Sequence, residues 1–108
     1  MIPPAVLRLC RETTHDAVVE SVKQTSGTLT MIMDARGALG GFRGHRVRLH
    51  FTGVRGKIKT RGFVGRWWLY QEPHLCGRAR FSLHVLLDRG EIEIEADNLS
   101  IRRLNYGP

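Results

Sequence analysis

The chain has 108 residues, enough for one domain with one core. Hydrophobic residues make up 42% and charged residues 25%, which excludes a disordered tail or a low-complexity protein. Seventeen Lys and Arg against ten Asp and Glu give a net charge of +7, so an anionic partner is a more natural expectation than a cationic one.

The chain opens with MIPPAVLRLC. Pro3 and Pro4 stand where a secretory signal would carry basic residues, Arg8 interrupts the apolar run and no small-residue cleavage site follows, so a signal peptide is not expected. Residues 3–12 instead suit a short helix, because proline in a first helical turn loses no hydrogen bond. Period-two alternation then takes over. Leu29, Met31 and Met33 share a face, as do Val47, Leu49 and Phe51, then Phe81, Leu83, Val85 and Leu87, and finally Ile92, Ile94 and Ala96. Alternation of this kind predicts half-buried antiparallel strands. Ser26–Gly27 and Arg89–Gly90 are placed to close tight hairpins. No stretch reads as a crossover helix, and GALGGFRG (37–44) is a longer connection. The expected fold is mostly β: an antiparallel sandwich or partly closed barrel of about seven strands over residues 1–108.

Charge is segregated along the chain. No acidic residue lies between Asp34 and Glu72, a stretch that holds Arg46, Arg48, Arg55, Lys57, Lys59 and Arg61. These six are the expected contacts for an anionic partner, either an acidic protein or a single-stranded nucleic acid. One purely internal arrangement would also account for part of the charge: Arg46, Arg48 and His50 lying beside Glu91, Glu93 and Glu95 on neighbouring strands. That pairing would still leave Arg55, Lys57, Lys59 and Arg61 unmatched.

The second unusual stretch is GRWWLYQEPHL. In a regular strand Trp67, Leu69 and Gln71 face one way and Trp68, Tyr70 and Glu72 the other. Trp67, Trp68 and Tyr70 are therefore expected to serve either core packing, a self-association surface or base stacking. Together with Phe42, Phe51 and Phe63 they interleave aromatic rings with the basic stretch, as a stacking platform requires.

Catalytic and metal chemistry find little support. The five histidines have no metal-ligand spacing, and two distant cysteines form no CxxC pair. His15 and Asp16, as sequence neighbours, are expected to point apart and to cap local backbone where the first strand begins. His74 and Cys76 share a strand face about 6.5–7 Å apart, too far for a nucleophile–base bond unless Pro73 bends the chain. GALGGFRG lacks the lysine and following helix of a nucleotide loop. The expectation is a non-enzymatic binding module, cytoplasmic and bacterial, with no cofactor and no membrane span, that forms homodimers.

The succession His15-Asp16, Phe51-Thr-Gly-Val54, Trp67-Trp-Leu-Tyr-x-Glu72, Leu83-His-Val-Leu-Leu87 and EIEADNLSI resembles the C-terminal domain of an uncharacterised bacterial family of unknown function, over roughly residues 13 to 104. GALGGFRG and the basic RGKIKTRG depart from that family's less basic pattern. The resemblance supports the order of strands and implies no catalytic residue.

Overall fold

A computed structural model describes residues 1–12, 15–37 and 41–104. A helix, α1 (Pro4–Arg11), precedes seven strands: β1 (Ala17–Thr25), β2 (Thr28–Asp34), β3 (Arg46–Thr52), β4 (Trp67–His74), β5 (Phe81–Leu87), β6 (Glu91–Ala96) and β7 (Asn98–Leu104). The strands form one sheet in the order β6-β5-β4-β1-β2-β3-β7, with every neighbouring pair antiparallel.

β6 and β7 occupy the two ends of that order, yet only Asp97 separates them in the chain. The sheet therefore curls until its ends approach. Around the junction the Asp97 amide donates to the Thr52 carbonyl at 3.0 Å and the Arg55 amide to the Glu95 carbonyl at 2.9 Å. β6 and β7 do not pair with each other, so the result is a partly open barrel. Its seam is the β1–β4 contact, with only two register pairs, Ala17 with Trp68 and Val18 with Trp67. The seam divides the sheet into a four-stranded lobe (β1, β2, β3, β7) and a three-stranded lobe (β4, β5, β6). α1 packs against β4 and β7, one strand from each lobe, and buries Val6 and Leu9 from a single stripe.

The alternation read from the sequence is the alternation of burial. Leu29, Met31, Met33, Val47, Leu49, Phe51, Phe81, Leu83, Val85, Ile94 and Ala96 are fully buried, and Leu87 and Ile92 nearly so. Ser26–Gly27 closes a two-residue hairpin with Thr25 opposite Thr28, and positive φ falls on its second residue alone, Gly27 at 73°, the pattern of a type II turn rather than of a primed one. Two strands break step. In β1 the register shifts between Val19 and Ser21, and in β4 between Trp68 and Tyr70. Each bulge inserts one residue and moves everything after it to the opposite face.

The charged-strand pairing considered above does not occur. β3 lies between β2 and β7, so Arg46, Arg48 and His50 sit opposite Asp34, Ile32 and Thr30 on one side and Leu104, Arg102 and Ser100 on the other. β6 pairs with β5, and Glu91, Glu93 and Glu95 face Leu86, His84 and Ser82. β3 belongs to the four-stranded lobe and β6 to the three-stranded one, so no cross-strand pairing joins them.

Gly53 makes the approach of the barrel ends sterically feasible. It has φ 64°, and a Cβ there would come within 2.4 Å of Asp97 Oδ2, a side chain already held by Arg55 at 3.0 Å. Gly27 has a similar φ of 73° but open space around it. Gly53→Ala should cost about 1–3 kcal/mol from left-handed backbone strain, plus the steric clash, and Gly27→Ala the strain alone. Urea midpoints of the two variants against the parent will check this; equal losses would mean the Asp97 contact relaxes freely.

Candidate anion-binding loop and aromatic face

Segment 53–66, which joins β3 to β4, is pinned at several points along its course. Val54 is buried and its amide donates to the Gly27 carbonyl at 3.0 Å. Gln24 of β1 grips the segment with both ends of its amide: Nε2 donates to the Gly56 carbonyl at 2.9 Å, and Oε1 accepts the Ile58 amide at 2.8 Å. Ile58 and Phe63 pack partly against the core. Between these anchors Lys57, Lys59 and Arg61 are exposed, and no carboxylate lies within ion-pair distance of them among the described residues. Lys57 lines three hollows, one of them, about 780 Å³, formed with Ile58, Lys59, Thr60 and Arg61 of the same segment. Another of about 250 Å³ also holds Arg55, Arg78, Glu93 and Glu95, and one of about 280 Å³ adjoins Gln24 and the Thr25–Gly27 turn.

The other expected anion contacts divide. Arg55 is committed to the barrel junction: its guanidinium meets Asp97 at 3.0 Å and the Arg78 carbonyl at 3.0 Å. Arg46 is engaged by Glu20 at 2.6 Å, because the β1 bulge turns Glu20 outward. Arg48 has no carboxylate partner among the described residues and lies opposite Arg102 of β7. Reading across the outward face of the four-stranded lobe, one row is Lys23, Thr30, His50 and Ser100, and the next is Ser21, Ile32, Arg48 and Arg102. Lys23 and Arg102 thus join the basic surface. Their outward parity was available in the sequence, but the alignment of their rows required the register. Nothing local in the sequence marks Gln24 as the residue that holds the loop.

The outward face of the three-stranded lobe is acidic and aromatic. Its rows are Tyr70, Leu86 and Glu91, then Glu72, His84 and Glu93, then His74, Ser82 and Glu95. His84 meets Glu91 at 2.7 Å, Ser82 donates to Glu93 at 2.9 Å, and Arg78 pairs with Glu95. Trp67 and Tyr70 are 48% and 57% exposed, whereas Trp68 is fully buried. The strict alternation expected for this stretch is therefore corrected. The bulge after Trp68 sends Tyr70 outward with Trp67 and turns Gln71 inward beside Trp68. Phe42 and Phe51 are buried as well. Of the rings counted toward a stacking platform, only Trp67 stays largely exposed beside Tyr70, and Tyr70 lies among glutamates rather than lysines.

Gln71 satisfies the buried indole: Trp68 Nε1 donates to Gln71 Oε1 at 2.8 Å. The Gln71 side chain also hydrogen-bonds the Cys10 thiol of α1. Burial raises the Cys10 pKa, and the Gln71 bond lowers it by less. His15 and Asp16 do not point apart as expected. Asp16 adopts φ 71°, and the left-handed turn brings His15 Nδ1 to 3.0 Å from Asp16 Oδ1. The two side chains are 54% and 39% exposed, and the Asp16 amide donates to the Trp68 carbonyl at 2.8 Å. His74 lies 3.9 Å from Glu72, and no hydrogen bond joins it to Cys76 among the described residues. No group of three or more His, Cys, Asp or Glu side chains among the described residues is placed to hold a metal ion.

Two outcomes follow. With Trp67→Phe the remaining indole should emit at short wavelength and resist acrylamide, while Trp68→Phe should leave a red-shifted, readily quenched indole; similar quenching in both variants would contradict the assignment. For Cys10, a pKa raised in the folded state means its contribution is complete below the ordinary thiol range and is lost as pH rises through the raised value. Melting temperature should therefore fall toward about pH 10 more steeply in the parent than in Cys10→Ser; parallel curves would remove this thiol from the alkaline limb.

No helix among the described residues is long and apolar enough to cross a membrane. No curated protein and no solved structure matches the chain significantly. A family described as "Protein of unknown function (DUF4085)" matches residues 1–95, a span that takes in α1 and ends inside β6 rather than starting after the helix as the resemblance suggested. The chain belongs to that family.

Proposed function

We propose that this protein is a non-enzymatic binding module for an acidic protein partner, acting as a homodimer in the bacterial cytoplasm. The observation that carries the reading is the pinned segment 53–66, which holds Lys57, Lys59 and Arg61 exposed and without carboxylate partners among the described residues. Ordering long cationic side chains costs entropy on binding, and a loop already anchored at Gly56, Ile58 and Phe63 avoids the backbone part of that cost. Lys23, Arg48 and Arg102 form a second group of cations on the outward face of the lobe, whereas Gln24, which holds the loop, has the inward parity of Leu29.

A carboxylate-rich partner suits this surface better than a single-stranded nucleic acid. Nucleic-acid binding of that kind gains much of its affinity from stacking. Here Tyr70 stands on the acidic lobe, and the outward rows that carry Lys23, Arg48 and Arg102 contain no Phe, Tyr or Trp, His50 being their one ring.

The test is a titration of a labelled oligoglutamate peptide and a labelled single-stranded oligonucleotide at several salt concentrations. Oligoglutamate should bind with marked salt dependence. Replacing Lys57, Lys59 and Arg61 by Ala should flatten the dependence of its affinity on salt. An unchanged slope would remove this loop from the binding surface. Tighter oligonucleotide binding with Trp67 quenching would favour the nucleic-acid reading instead.

A further inference from the structure

The segment after Gly56 is built as a strand with one edge taken and the other open. Gln24 Nε2 donates to the Gly56 carbonyl at 2.9 Å, and Gln24 Oε1 accepts the Ile58 amide at 2.8 Å. These two groups flank Lys57 and point the same way, as they do on either side of an extended residue. The Gln24 amide thus stands where a peptide group of a parallel neighbouring strand would stand. Lys57, being extended, turns its own N–H and C=O to the opposite edge. Neither those groups nor the N–H and C=O of Lys59 have a hydrogen-bond partner among the described residues. The side chains keep the same two-residue rhythm: Lys57, Lys59 and Arg61 are exposed, with Ile58 and Thr60 half-buried between them. These five residues line the hollow of about 780 Å³, within the roughly 300–1,000 Å³ usual for binding sites.

We propose that this open edge takes an acidic segment of the partner by strand addition, with carboxylates at every second residue of that segment. This deepens the proposed function and rests on it. Main-chain hydrogen bonds from Lys57 and Lys59 supply affinity, and the side-chain spacing supplies selection. Residues two apart in a strand stand about 6.5–7 Å apart on one face. Glutamates at alternate positions therefore all come to the face of the loop cations, whereas a run of consecutive glutamates sends half of its carboxylates to the far face. Backbone pairing already occurs at the start of this segment, where Arg55 donates its amide to the Glu95 carbonyl at 2.9 Å. Past Gly56, whose φ is 74°, no backbone bond joins the segment to β6 among the described residues. The hollow of about 250 Å³ is lined there by Lys57 together with Glu93 and Glu95. Those two glutamates stand at the Lys57 end and direct the partner's carboxylates toward Lys59 and Arg61.

Titration of the full chain with labelled peptides of glutamate and threonine tests this. A peptide in which the two residues alternate should bind about tenfold or more tighter than one of equal composition with its glutamates in a single block. Two further versions of the alternating peptide carry backbone N-methyl groups, one on every glutamate and the other on every threonine. A strand pairs through one edge at a time, so one version should lose about tenfold or more and the other should bind like its parent. On the protein side, Lys59→Pro should bind the alternating peptide more weakly than Lys59→Ala, because only proline removes the amide. Equal affinity for the alternating and block peptides, for the two methylated versions, or of the two Lys59 variants would overturn strand addition and leave the proposed function standing. If no acidic peptide binds, oligoglutamate included, both fall together.

Discussion

The structure depends on a connection of one residue. Asp97 joins β6 to β7, yet these strands lie at opposite ends of a seven-stranded order. A flat sheet of that width cannot be spanned by a single residue, so the sheet must roll. The junction is then fastened where the ends approach: Thr52 accepts the Asp97 amide, Glu95 accepts the Arg55 amide, and the Arg55 guanidinium closes on the Asp97 carboxylate. Gly53 leaves the room this convergence needs. One of the most conspicuous cations of the basic stretch is thus structural, since Arg55 spends its donors on Asp97 and on backbone carbonyls.

Rolling the sheet also sets the charge map. The basic strand β3 lies in one lobe and the acidic strand β6 in the other, so each glutamate of β6 finds its partner within its own lobe or beside it, among His84, Ser82 and Arg78. Arg48 of β3 and Arg102 of β7 are left without a carboxylate partner among the described residues. The outward face of the four-stranded lobe is then basic and that of the three-stranded lobe acidic and aromatic, and the two charges meet at the hollow shared by Lys57, Glu93 and Glu95. Separated charge of this kind gives long-range orientation to an approaching partner, which a uniform surface of equal net charge does not.

The two bulges convert this layout into function-bearing surfaces. In β1 the extra residue is Glu20, which turns outward and takes Arg46 out of the free basic set. In β4 the shift after Trp68 exposes Tyr70 beside Trp67 and buries Gln71, where its amide meets the indole of Trp68 and the thiol of Cys10. The buried end of the WWLY stretch serves the core and its outer side forms a surface. A strand of unbroken alternation would have paired the rings differently.

Much of this was legible in the chain itself. The helix at Pro4–Arg11, the strand positions, the hairpins at Ser26–Gly27 and Arg89–Gly90, and the inward residues of β2, β3, β5 and β6 follow from local periodicity and turn chemistry, which act between residues close in sequence. The exposed loop cations Lys57, Lys59 and Arg61 were legible for the same reason, because a stretch lacking both acids and alternation has few ways to be neutralised locally. Tertiary structure decided the rest: that Arg55 and Arg46 are spent on Asp97 and Glu20, that Arg48 faces Arg102 instead of a glutamate, that Gln24 clamps the loop, and that Tyr70 shares a face with Trp67. Each of these depends on strand order or on a one-residue slip in register. Such choices are settled by contacts between segments distant in the chain, and composition and periodicity carry no record of them.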